Sequence, residues 1–112
     1  EVYHIFAQGW RDLSNVNFAK AVNIMKKGLD NLGDNAILYA DLGRHYLIEM
    51  EKFYKERDWN KVLTYAKVGR HYLEQAQRLD PGYDVERMTR HLALSRLRTT
   101  MAEGIFRAKG GQ

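Results

Sequence analysis

The sequence predicts an all-α fold, and three features of the chain indicate it. Apolar residues recur at steps of three and four, the spacing of one face of an α-helix. Only one of the 112 residues is proline, and 45% are hydrophobic, so the chain has few helix breakers and enough apolar residues for a core. Short polar segments separate the periodic stretches. We therefore expect a single domain, residues 1–112, of five antiparallel helices joined by short turns.

The clearest prediction is a helical hairpin over residues 36–81. The apolar stripe of its first helix consists of Tyr39, Leu42, Gly43, Tyr46, Met50, Phe53 and Tyr54. The stripe of its second helix consists of Trp59, Val62, Ala66, Gly69, Leu73 and Ala76. A polar tip, residues 55–58, separates the two helices, and Asp58 is the predicted N-cap of the second. The segment Asp80-Pro81-Gly82 ends the hairpin, because proline cannot continue the helical hydrogen bonds.

This hairpin resembles a tetratricopeptide (TPR) repeat. The matching residues are Tyr39-x2-Leu42-Gly43-x2-Tyr46, Gly69-x3-Leu73-x2-Ala76 and Leu79-Asp80-Pro81. The resemblance implies that the two helices nest at small residues, Gly43, Gly69 and Ala76, while Leu42, Tyr46 and Leu73 fill the gaps beside them. The hairpin is longer than the roughly 34 residues of a standard repeat. We place the surplus as roughly two extra turns on each helix.

Residues 2–35 are predicted to form a divergent first repeat. Gly9 precedes Gly43 by 34 residues, the usual TPR period. One helix is expected over residues 2–13, and a second carries the stripe Phe18, Ala21, Val22, Met25, Leu29 and Leu32. Gly33 is the expected left-handed stop of this second helix.

A final helix is predicted after Pro81, within residues 84–109, with Asp84 as its N-cap. Its apolar stripe begins with Val85, Met88 and Leu92 and continues on a rotated face with Leu94, Leu97, Met101 and Ile105. No TPR motif follows at the expected spacing, so we interpret this helix as a C-terminal capping helix.

The segment Gly-Arg-His-Tyr-Leu occurs twice, at residues 43–47 and 69–73. This separation is not the TPR period. Both copies suit an interface between paired helices, and we interpret the match as coincidence.

The residues show no pattern typical of an enzyme, a metal site or a cofactor site. Cysteine is absent, which removes disulfides and thiolate ligands. Glu1-x-x-His4 has the spacing of one ligand pair of a di-iron site, but no second such pair follows. His45, His71 and His91 are expected on helix flanks, in ordinary hydrogen bonds. We predict no catalytic residue, no bound metal and no cofactor.

The resemblance implies a partner-binding groove lined by the leading helices of the two repeats. Its predicted residues are Tyr3, Phe6, Trp10, Leu13, Arg44, Leu47 and Ile48, with Ile37 and Ala40 beside them. Aromatic residues and arginine are typical interface anchors. The Lys and Asn residues with which some TPR domains clamp a terminal carboxylate are absent at the matching positions. We therefore expect an apolar or amphipathic segment of a protein partner; the alternative is that this face packs on the capping helix or on residues preceding the chain.

Two further surfaces are candidates. The hairpin tip carries Phe53, Tyr54, Trp59 and Leu63, which either zip the long helices together or, if exposed, mediate self-association. The chain has a net charge of +4, and its basic character belongs to the last helix, whose predicted basic face is Arg87, Arg90, Arg96 and Arg98. Such a face suits nucleic acid or another acidic surface. The alternative for these arginines is a solvated outer face, and no aromatic residues interleave for base stacking.

Together these features predict a non-enzymatic scaffold or adaptor domain that binds a protein segment or another subunit. No apolar run approaches the roughly 18 residues of a membrane span, so we predict no transmembrane segment. The chain begins at Glu1 rather than methionine, and we expect a domain excised or processed from a longer protein. Any targeting segment would then be lost, and the remaining residues indicate no compartment.

Overall fold

The computed structural model describes residues 18–109, and every regular element in this part of the chain is an α-helix. The helices are α1 (Phe18–Leu32), α2 (Ala36–Lys55), α3 (Trp59–Leu79) and α4 (Val85–Ala108). The predicted all-α class is therefore confirmed. The helix predicted over residues 2–13 lies outside the described residues. Over the described range, no helix combines the length and the apolarity that crossing a membrane requires.

Local signals set the helix ends. Gly33 ends α1 with a left-handed backbone (φ 84°), and its N–H donates to the carbonyl of Leu29 at 2.9 Å. Asn35, which the sequence analysis did not single out, caps α2 by accepting from the amides of Ile37 (2.9 Å) and Leu38 (3.2 Å). Asp58 caps α3 as predicted, by accepting from the amide of Lys61 at 3.4 Å.

A three-residue turn, residues 56–58, joins α2 to α3 and contains neither glycine nor proline. Within it Arg57 adopts a left-handed backbone conformation, with φ 58°. This conformation costs a residue with a Cβ roughly 1–2 kcal/mol. Three backbone hydrogen bonds hold the turn: from Glu56 to Lys52 (3.2 Å), from Arg57 to Tyr54 (3.1 Å) and from Asp58 to Phe53 (3.0 Å).

The α2 and α3 helices run antiparallel and touch backbone to backbone at Gly43 and Gly69. A Cβ atom placed on Gly43 would lie 2.8 Å from Leu73 Cγ and 2.9 Å from the carbonyl oxygen of Gly69. A Cβ atom on Gly69 would lie 2.8 Å from Leu47 Cδ2 and 3.1 Å from the carbonyl oxygen of Gly43. A side chain at Gly43 would therefore displace the backbone of α3, and one at Gly69 would displace the Leu47 side chain.

The two Gly-Arg-His-Tyr-Leu segments meet at this crossing. The glycine of each copy faces the leucine of the other, and the rings of Tyr46 and Tyr72 lie 5.6 Å apart. An antiparallel helix pair has an approximate two-fold axis across its contact, so identical segments can fill both halves of the interface in the same way. Both segments thus lie in the interface between paired helices, as the sequence analysis expected.

The outer helices pack on different sides of the hairpin. Helix α1 covers α2 through a cluster of buried residues, Ala21, Val22, Met25, Leu38 and Leu42. Helix α4 covers α3 and adds Met88, Leu92 and Ala102 to the larger core cluster. Here the Ser95 hydroxyl donates to the carbonyl of Ala66 at 2.7 Å, in a buried hydrogen bond that fixes α4 against α3.

A line of half-buried aromatic rings follows the hairpin on the side that α1 approaches. Neighbouring ring centroids are 5.0–6.2 Å apart along the series Tyr39, Tyr72, Tyr46, Tyr65 and Phe53. Phe18 of α1 packs edge-on against the middle of this line, with its centroid 5.1 Å from that of Tyr46. Burial, and after it the neighbouring tyrosines, raises the pKa of Tyr46. The rings therefore zip the long helices together.

Enlarging Gly43 should destabilise the fold. We expect Gly43→Leu to lower the free energy of unfolding by about 1–3 kcal/mol through overpacking, with Gly43→Ala also destabilising. Gly104 is the matched control: it lies inside α4, and a Cβ atom at this position would have nothing within 4 Å. Gly104→Ala should instead stabilise the protein by about 0.5–1 kcal/mol. Urea unfolding followed by circular dichroism measures all three; stabilisation by Gly43→Ala would contradict the close crossing.

Candidate interaction surface on helices α2 and α4

A bidentate ion pair joins α2 to α4. The guanidinium of Arg98 donates to both carboxylate oxygens of Glu51, at 2.7 Å from Nε and 2.9 Å from Nη2. The same guanidinium lies 3.7 Å from the ring centroid of Tyr54, a cation–π contact. The hydrogen bond to Glu51 raises the pKa of Arg98, against the opposing effect of burial. Arg98 is thus a structural link between helices.

A second ionic cluster links α2 to the start of α4. Arg44 pairs with the buried carboxylate of Asp41, and its Nη1 lies 3.7 Å from Asp84 Oδ2. Asp84 also pairs with Arg87, whose Nε is 3.6 Å away. Asp84 occupies the predicted N-cap position, but its side chain makes no capping hydrogen bond. The predicted N-cap position is confirmed, but Asp84 has a left-handed backbone (φ 48°), and its carboxylate pairs with the two arginines and not with a helix amide.

His91 lies beside this cluster on α4 and is half-buried. Burial is the main factor that lowers its pKa below the ordinary value of 6.5. The positive charges of Arg44, Arg87 and Arg90 lower that pKa further, and Asp84 alone opposes them. The folded protein therefore favours neutral His91.

Apolar side chains lie on the open side of α2 and α4, opposite the side that α3 covers. Ile48 lies on the same face of α2 as Arg44 and Glu51, and it is 62% exposed. On α4, Leu97 is 53% exposed, and Met101 and Ile105 are partly exposed. Leu94 of the same predicted stripe instead packs against the main core cluster. We call the remaining set the α2–α4 surface: Ile48, Leu97, Met101 and Ile105.

The predicted groove coincides with this surface only in part. Arg44 and Ile48 lie at it, as expected for a face lined by α2. Leu47 is only 3% exposed, because it packs against Gly69, and Ala40 is also buried. The remaining groove residues fall outside the described part of the chain: Tyr3, Phe6, Trp10 and Leu13.

The contribution of α4 to this surface was not predicted. The sequence did contain a signal for this contribution, because the last helix has a second apolar stripe on a face rotated from the first: Leu94, Leu97, Met101 and Ile105. A capping helix needs only one buried face, so a second apolar face indicates a further contact.

The hairpin-tip residues are engaged within the fold. Phe53 packs on Tyr65 with ring centroids 5.0 Å apart, and Tyr54 packs on Trp59 at 5.8 Å. Leu63 is half-buried against the main core cluster. A shallow cavity of about 490 Å³ opens where α3 begins and α4 ends, lined by Asn60, Leu63, Phe106 and Lys109. This packing favours the zipping role of the tip over self-association through it.

The four arginines of the predicted basic face do not act together. Arg98 pairs with Glu51, Arg87 with Asp84, and Arg90 Nη1 lies 3.2 Å from Glu86 Oε1. Arg96 is exposed and lies on the side of α4 opposite Arg87 and Arg98. The positive charges are therefore divided between two sides of the helix and largely compensated on one of them.

The chain matches no protein-family model, curated protein or solved structure. Within residues 18–109, no group of three or more His, Asp or Glu side chains is placed to hold a metal ion.

The Glu51–Arg98 pair should show measurable coupling in a double-mutant cycle. We expect Glu51→Gln, Arg98→Gln and the double variant to give a coupling free energy of about 1 kcal/mol, because the pair is bidentate and partly buried. Lys67–Glu103 is the control, since this pair is exposed and its atoms lie 3.9 Å apart. Its coupling should be about 0.3 kcal/mol or less. Urea unfolding provides the free energies, and equal coupling of the two pairs would contradict the proposed link.

His91 should reduce stability on acidification. Its pKa is 6.5 in the unfolded chain and lower in the folded protein, so between these values the unfolded chain binds the extra proton. Stability should therefore be lost as the pH falls below 6.5, and His91→Gln should lessen that loss. Exposed His71 is the control, because His71→Gln retains His91 and should retain its contribution. Urea midpoints measured from pH 7.5 to 5 test this, and identical profiles for wild type and His91→Gln would contradict it.

Proposed function

We propose that the protein is a non-enzymatic interaction domain that binds an apolar or amphipathic helical segment of a protein partner on the α2–α4 surface. The observation that carries this proposal is the exposure of Ile48, at 62%, beside a second helix with its own apolar flank. An isolated exposed isoleucine is ordinary. We infer that Ile48 and the α4 flank together form an apolar patch, a feature typical of a contact site.

The pairing of the neighbouring charges supports an apolar ligand. Arg44 is held by Asp41 and Asp84, and Arg98 is held by Glu51. Because these cations have acidic partners inside the fold, they offer little net charge to an external anion. An amphipathic helix would instead place residues spaced at i, i+3, i+4 and i+7 against the patch. Such binding should depend weakly on salt, whereas binding to nucleic acid would weaken steeply.

We further propose that the helices have a TPR-like arrangement. The supporting features are the nesting of α2 and α3 at Gly43 and Gly69, buried Ala76, and the packing of α1 on α2. In such an arrangement α2 and the capping helix α4 present neighbouring faces on one side of the molecule. Partner binding on that side is the usual function of the family that the sequence resembles.

Replacement of Ile48 should test this function directly. The probe is a displayed library of 20-residue amphipathic helical peptides, selected against the wild-type chain. We expect Ile48→Asp to weaken the selected peptides at least tenfold, since burial of an isoleucine is worth about 1.5–3 kcal/mol. Leu79 is the matched control: it is also an exposed aliphatic residue, but it lies at the end of α3. Leu79→Asp should leave the peptide affinity unchanged.

Thermal unfolding should show that both variants remain folded, because both positions are exposed. Equal effects of Ile48→Asp and Leu79→Asp, or a library that yields no binder at 100 µM protein, would count against the proposed site. An affinity that falls by orders of magnitude between 50 and 200 mM salt would favour an acidic ligand instead.

A further inference from the structure

We propose that the α2–α3 hairpin can open at residues 56–58 into one continuous helix. Two opened copies of this chain then form a domain-swapped dimer, which we call the exchanged dimer. In this dimer α1 and α2 of one chain pack against α3 and α4 of the other. The partner is thus the chain itself, and the interface is the one already seen inside the monomer. This inference is independent of the peptide-binding function proposed above.

The turn is chemically suited to become helix. Glu56 and Arg57 are strong helix formers, and the turn has neither glycine nor proline to interrupt a helix. Glu56 already lies on the right-handed side of the backbone map (φ −83°, ψ −4°), next to the helical region. Straightening therefore requires rearrangement of only Arg57 and Asp58, and it relieves the left-handed strain at Arg57.

Every hairpin contact can be rebuilt between two chains. The crossing of Gly43 and Gly69, the Glu51–Arg98 pair and the Arg44–Asp84 pair all join residues before the turn to residues after it. Exchange preserves these contacts and changes only the chain that supplies each side. Dimer and monomer then differ chiefly by the strain of the turn, which favours exchange, and by the entropy of association, which opposes it. A high protein concentration should therefore promote the exchanged dimer.

Charge reversal across the turn distinguishes exchange from ordinary surface association. The first variant is Glu51→Lys and the second is Arg98→Glu. Each variant alone places like charges together, whether it is a monomer or a homodimer. In an exchanged heterodimer, one half pairs the introduced lysine with the introduced glutamate, and the other half keeps the native pair. Both ion pairs are satisfied only in this mixed species.

The two variants are refolded from urea, separately and as an equimolar mixture, at a protein concentration of about 0.5 mM. This concentration would populate a dimer whose dissociation constant is micromolar. Native mass spectrometry then counts monomers, homodimers and heterodimers. We expect the heterodimer to be about tenfold more abundant than each homodimer. This ratio corresponds to a free-energy difference of about 1.4 kcal/mol between a dimer with paired charges and one with like charges. A mixture that remains monomeric, or dimers in random proportions, overturns the proposal.

Arg57→Gly provides a second test that keeps every helix contact intact. Glycine removes the strain of the closed turn and weakens the continuous helix, so it should favour the monomer. Because forming each dimer opens two such turns, its dissociation constant should rise about a hundredfold. The wild-type chain at the same concentrations is the reference, measured by size-exclusion chromatography with light scattering. An unchanged dissociation constant would exclude opening at this turn.

Discussion

The backbone contact between Gly43 and Gly69 is the constraint on which the remaining packing depends. With hydrogen in place of Cβ at both positions, α2 and α3 approach until each glycine meets a leucine of the other helix. This short separation brings the aromatic rings into a continuous line on one side of the hairpin. On the other side it lets Leu47 and Leu73 share a core with α4. A larger residue at Gly43 would separate the helices and disturb both sides together.

The position of α4 determines which charges and which apolar residues remain accessible. Ser95 fixes α4 on Ala66, and Arg98 fixes it on Glu51. Both contacts engage polar side chains that composition alone would place in solvent. A net charge of +4 therefore does not produce a uniform basic face. The same placement leaves Ile48 and the second apolar face of α4 on one open side, which is why the proposed ligand is apolar.

Much of the fold could be predicted from local patterns. Periodicity, the polar tip and the helix-ending residues located α1, α2, α3 and α4 to within a residue or two at nearly every end, because these features act within one or two turns of helix. Asp84 shows the limit of this reasoning. Its residue type and position are those of an N-cap, yet its carboxylate lies among arginines brought from two helices. The residue type and position identified the helix start, but not the left-handed backbone that turns the side chain from the capping geometry.

The site was predictable only in part, and neighbouring residues show why. Leu47 and Ile48 are similar in size and hydrophobicity, but one packs on Gly69 and the other is exposed. Arg96 and Arg98 differ in the same way, since one is exposed and the other holds Glu51. By itself the sequence determined the helices, their ends and the small residues at which two of them nest. The tertiary structure alone decided which side chains face outward. The helical repeat fixes the angles between side chains about the helix axis, but it does not determine on which side a neighbouring helix packs.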